Sequence, residues 1–79
     1  MYLILLHLSL INLLRVIYMN NIRRYRKKLN LSQSDLAIIM GVHKSAVNKW
    51  DNNVAQPSNK NLIRLSKILN TSTDKLLRL

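Results

Sequence analysis

The sequence predicts an all-α fold of five short helices, preceded by an extra apolar segment. Three observations carry this expectation. Apolar residues recur three or four apart, as in Leu62, Leu65 and Leu69, the spacing of one helical face. Ser and Asn stand where helices would begin, and the single Gly and several Asn stand where they would end. No run alternates apolar with polar residues as a half-buried strand would, and no repeat or linker interrupts the chain.

Seventy-nine residues make one small domain, with a core near the lower limit for independent folding. Thirteen Lys and Arg oppose three Asp, giving a formal net charge of +10 and a pI near 10.8. Such an imbalance opposes compaction and favours a polyanionic partner, either nucleic acid or an anionic membrane surface. The chain has no Cys, which excludes disulfides and thiolate metal sites. His7 and His43 lie far apart, the three Asp are scattered, and no Gly-rich phosphate loop occurs. Neither an enzyme nor a metal or other cofactor is expected from this composition.

Residues 1–18, MYLILLHLSLINLLRVIY, differ in composition from the rest. A membrane-spanning helix needs about 20 apolar residues, and His7, Asn12 and Arg15 interrupt the run. The RRYRKK stretch that follows would suit a cytoplasmic flank, but a spanning helix is not the expected outcome. A secretory signal would need a basic start and a small-residue cleavage site, and both are missing. Two readings stay open: a helical arm packing on the domain or on a second copy, or an upstream extension of a product beginning at Met19. Either way, so apolar a segment seeks a partner surface in water. The domain proper is placed at residues 19–79.

Asn20 or Asn21 caps a first helix running to about Leu29, with Ile22, Tyr25 or Arg26, and Leu29 facing inward. Arg23, Arg24, Lys27 and Lys28 fall on its outside, as a solvated face or as phosphate contacts. Asn30 and Leu31 turn the chain. Ser32 caps a second helix from Gln33, and Asp35, three residues on, can return the hydrogen bond. Leu36, Ala37 and Met40 share one side, and Gly41 ends the helix in a left-handed conformation. Helical spacing resumes from Lys44 to Asp51. Val47 and Trp50 point inward there with Ala46 beside them, while Lys44, Ser45, Asn48 and Lys49 point outward, all able to donate hydrogen bonds.

Asn52 or Asn53 ends this third helix, and Val54, Ala55 and Gln56 lead to Pro57. Ser58 caps a fourth helix, Asn59 to Leu69. Leu62, Leu65 and Leu69 face inward, Ile63 or Ile68 flanks them, and Lys60, Arg64 and Lys67 lie outside. Asn70 ends it and Ser72 caps a last helix, where Asp74 suits the helix dipole. Leu76, Leu77 and Leu79 close the core.

The ordered series LSQSDLA (31–37), MGV (40–42), KSAVNKWDNN (44–53), QPS (56–58), LIRLSKIL (62–69) and STDKLL (72–77) resembles the phage repressor and Cro helix-turn-helix family, also called the XRE family. Pro57 lies four residues after Asn53, the spacing of that family's ErGxxxP pattern. The resemblance implies a compact lambda-repressor-like fold whose third helix reads DNA. The chain departs from the family at His43, where Ser or Thr is usual, and at Asn53, where Gly is usual. Ile38 and Ile39 stand where the family carries charged, exposed residues, leaving an apolar patch for the N-terminal arm or a partner protein to cover.

By this resemblance Lys44, Ser45, Asn48 and Lys49 enter the major groove as base contacts. Lys can reach guanine O6 and N7, and Asn fits adenine through paired bonds. Gln33 bonds phosphate and braces the recognition helix, since free N–H groups at a helix start point towards an anion. His43, Asn52 and Lys60 are further phosphate neighbours, His43 either by contact or merely as a cap. Arg26 and Asp51 match positions where the family often pairs an Arg with an acid, a structural ion pair between first and third helices. Trp50 belongs to the core rather than to a base. The implied function is a cytoplasmic, sequence-specific transcriptional regulator, repressor or antitoxin-like. It would bind double-stranded DNA as a homodimer and take no small-molecule ligand. The competing class is a membrane-tethered or protein–protein interaction module using residues 1–18 and Ile38/Ile39.

Overall fold

Within residues 19–77 five helices follow one another: α1 (Ile22–Lys28), α2 (Gln33–Met40), α3 (Lys44–Asp51), α4 (Asn59–Ile68) and α5 (Thr73–Leu76). The computed structural model describes Leu10 and residues 19–77. The expected N-terminal arm, Leu10 apart, and Leu79 lie outside the described residues.

Three helix starts and four helix ends have a local cause. The Ser32 side chain accepts the Asp35 backbone N–H at 2.9 Å, and the Asp35 carboxylate accepts the Ser32 N–H at 2.9 Å, closing a capping box on α2. Ser58 and Ser72 accept the N–H groups of Asn61 and Lys75 in the same way at the starts of α4 and α5. The exits from α1 to α4 share one device. Asn30, Gly41, Asn53 and Asn70 have φ of 58°, 68°, 58° and 54°, the left-handed turn that stops a helix and frees the chain to reverse. Asn reaches this conformation by local hydrogen bonding, so four sharp exits need only one glycine.

Every helix contributes to one core. Ile22 of α1, Leu36 and Met40 of α2, Val47 of α3, Leu65 of α4 and Leu76 of α5 are fully buried. Trp50 joins them at 5% exposure, so the indole is core. The tightest pairing is α2 against α3; α1 leans on α3, and α4 on α5. Burying a Leu- or Ile-sized side chain contributes about 1.5–3 kcal/mol, so losing any one of these six would be felt throughout so small a domain.

Three packing expectations are corrected. Leu29 is 43% exposed rather than inward, because α1 ends at Lys28 and the chain is already turning at Asn30. Leu77 is 39% exposed, since it lies past the end of α5. Arg64 is no outward decoration. It is half-buried, and its Nη2 donates to the Met40 carbonyl at 2.9 Å, satisfying the C-terminal end of α2 from α4. Of the two flanking candidates, Ile68 packs on the core and Ile63 is exposed.

The two asparagines before α1 fix the start of the domain. Asn20 Oδ1 accepts the Ile22 N–H at 2.9 Å, while its Nδ2 donates to the Trp50 carbonyl at 3.0 Å. Its backbone N–H donates to Asn53 Oδ1 at 2.8 Å. Asn21 N–H and Nδ2 donate to the carbonyls of Leu76 and Lys75. The entry to α1 is thereby tied to the ends of both α3 and α5.

Candidate nucleic-acid interface

α2 and α3 pack against each other across the turn at Gly41–His43, and that packing aims one face of α3 outward. Val47, Trp50 and Asp51 are its buried side. Lys44, Ser45, Asn48 and Lys49 are all exposed. Among the described residues, the side chains of Lys44, Ser45 and Lys49 make no hydrogen bond or ion pair. Their donors are free for an incoming ligand.

The start of α3 is open as well. His43 occupies the cap position with extended backbone, φ −70° and ψ 145°, but its exposed side chain makes no capping hydrogen bond. The first N–H groups of α3 are thus left without a side-chain acceptor, and they carry the positive end of the helix dipole.

Behind this face runs a polar chain that begins in the core and ends at the surface. Arg26 is 7% exposed and Asp51 6%. Arg26 Nη2 and Nε donate to Asp51 Oδ2 at 2.7 and 3.2 Å. The Leu31 carbonyl takes Arg26 Nη1, so the guanidinium also pins the turn between α1 and α2. Gln33 Nε2 gives Asp51 Oδ2 a third bond, at 3.0 Å. Gln33 Oε1 then accepts from Asn48 Nδ2 at 3.3 Å. Arg26, Asp51, Gln33 and Asn48 are therefore joined in one series from α1 to the outer face of α3. Asp51 Oδ1 is buried and has no partner among the described residues. All the donors converge on the other oxygen.

The remaining expected phosphate residues lie apart. Asn52 is exposed just past α3, its Nδ2 folded back on the Asn48 carbonyl at 3.0 Å. Lys60 is exposed near the start of α4. Asn20 and Arg64 also belong to the scaffold, through long-range bonds that the sequence does not mark. Asn20 works across 30 to 36 positions and Arg64 across 24, and no local signal points to such partners.

Ile38 and Ile39 are 79% and 49% exposed, the apolar patch expected on α2. No helix among the described residues is long and apolar enough to cross a membrane. Among those residues no group of His, Cys, Asp and Glu could hold a metal ion.

Comparison with known proteins agrees with this geometry. Residues 22–76 match the helix-turn-helix family. The chain is 40% identical over 57 residues to repressor protein C2 of Salmonella phage P22, covering 72% of this chain but only 26% of that protein. It is 39% identical over 64 residues to control protein C.SmaI of Serratia marcescens, covering 81% of this chain and 76% of that one. The structure is also similar to the crystal structure of the P22 c2 repressor with synthetic operator 9T in the presence of Tl+. That similarity has a TM-score of 0.69 at 40% identity and covers 73% of this chain and 88% of the other.

Proposed function

Because this chain belongs to the helix-turn-helix family of the phage repressor and Cro type, we propose that it is a sequence-specific DNA-binding regulator of transcription. The observation that carries the proposal is the outer face of α3, where Lys44, Ser45, Asn48 and Lys49 stand exposed over a buried Val47 and Trp50. The P22 c2 repressor is seen with an operator, and a DNA-binding role for α3 accounts for this chain's free donors. In this role α3 enters the major groove. Lys44 and Lys49 reach for guanine, and Asn48, oriented by Gln33, pairs with adenine. Each good base contact discriminates by about 1–3 kcal/mol.

Backbone contacts set the register. The second Nε2 hydrogen of Gln33, the open start of α3, His43, Asn52 and Lys60 supply donors to phosphate. Two copies would bind half-sites about 34–36 Å apart, one helical turn. Occupancy of the operator then blocks polymerase, and the protein works in the cytoplasm beside the chromosome.

Selection from a random pool of duplexes tests this. The expected result is an enriched site with two-fold-related halves. With roughly six phosphates neutralised per dimer, affinity should fall with salt at a log–log slope near −0.9 for each of them. A pool that stays random, or binding indifferent to salt, would contradict the proposal.

A further inference from the structure

His43 is the one histidine among the described residues, and imidazole is the side chain whose charge ordinarily changes between about pH 5 and 8. It is exposed at the cap position of α3 and bonds to none of the N–H groups there. With Lys49 it lines a hollow whose other walls carry no charge. No acid answers these cations. Of the chain's three, Asp35 stands in the first turn of α2, which lies against the far half of α3, where Gln33 meets Asp51 and Asn48. Asp51 ends α3 and is paired with Arg26 of α1, a helix without acids. Asp74 is on α5. From α4, Arg64 reaches the Met40 carbonyl, just before the turn that leads to His43. The charged groups placed towards the imidazole are thus Lys44, Lys49 and Arg64, all positive. An incoming phosphate would be the first negative charge it encounters.

We propose that His43 couples operator binding to pH, its imidazole taking up a proton from solvent when a backbone phosphate settles at the start of α3. The inference rests on the proposed DNA binding and concerns its regulation. A neutral imidazole offers that phosphate one hydrogen bond. Imidazolium adds a charge, and charge-assisted bonds are roughly twice as strong. The complex therefore holds the proton more firmly than the free protein does, and by reciprocity protonation favours the complex. The gain in affinity is full where both states are protonated. It is lost as pH rises through the range in which the complex gives the proton up.

The experiment takes the full chain and the best duplex recovered from a random pool. Affinity and its salt slope are measured at about pH 5.5 and about pH 8, the two sides of the imidazole range. The variants are His43→Gln, which hydrogen-bonds without charging, and His43→Lys, which carries a charge at both pH values. His7→Gln is the control for the chain's other histidine. Melting curves establish that each folds. The wild type and His7→Gln should bind several-fold more tightly at the lower pH, with a salt slope steeper by about 0.9 for each protonated His43. His43→Gln should show neither change, and His43→Lys should keep the steep slope throughout. Calorimetry in two buffers of different ionisation heat should find a proton uptake by the wild type that His43→Gln lacks. The inference is overturned if wild-type affinity and slope are the same at both pH values, if His43→Gln keeps the response, or if His7→Gln abolishes it. A wild-type protein that recovers no duplex overturns the DNA-binding proposal itself.

Discussion

The starts of α2 and α3 are built in opposite ways. α2 is self-sufficient at its N-terminus, where Ser32 and Asp35 exchange hydrogen bonds within one turn. α3 has only His43 there, which gives it no side-chain bond. What holds α3 comes from elsewhere: Val47 and Trp50 in the core, Asp51 on Arg26, Gln33 behind Asn48, and Asn20 on the Trp50 carbonyl. The contrast separates support from exposure. α2 closes its own end and serves as a brace. α3 is braced from behind, so its front face and N-terminus stay free to bind.

Four changes break or sharpen this contrast. Asp51→Ala acts on the brace and should be the largest, about 3–5 kcal/mol, because it strands a buried guanidinium. Thermal melting should show a far greater loss than for Asp35→Ala, and equal losses would remove the distinction between the two helices. Ser32→Ala opens the self-made cap and should cost about 1 kcal/mol, read by urea unfolding. His43→Ser tests the open end. It should gain stability, by up to about 1 kcal/mol, since it supplies the acceptor that His43 does not. The same variant should bind DNA more weakly if the free N–H groups receive a phosphate.

The smallest effect concerns acid. The Ser32 N–H, and then its hydroxyl, hold the Asp35 carboxyl below its ordinary value of 3.8. A carboxylate with a depressed folded pKa adds stability above the unfolded pKa and loses it as pH falls through the lower folded value. Asp35→Asn should therefore lessen the dependence of melting temperature on pH below about 4, the unfolded range for Asp. An unchanged acid limb would show that the box is not electrostatic.

Much of the fold was legible because its signals are local. Ser32 with Asp35, Gly41, Ser58 and Ser72 mark helix ends within a turn of themselves, and the bounds of α2 and α3 fell where those residues put them. Leu29 and Leu77 misled because periodicity assumes that a helix continues, whereas the left-handed Asn30 and the short α5 cut it off. The exposure of Lys44, Ser45, Asn48 and Lys49 followed from the inward spacing of Val47 and Trp50. The long-range role of Asn20, beyond its bond to the Ile22 N–H at the start of α1, was illegible for a physical reason. Its partners Trp50, Asn53 and Gln56 become neighbours only once the chain has folded back.

Repeating the random-pool selection with Asn48→Ala beside the wild type puts the account at greatest risk. If α3 lies in the major groove as described, both proteins fold and bind, and the variant's enriched site loses its preference at one symmetry-related position in each half. An identical site for the two proteins would mean that DNA is recognised by some other surface.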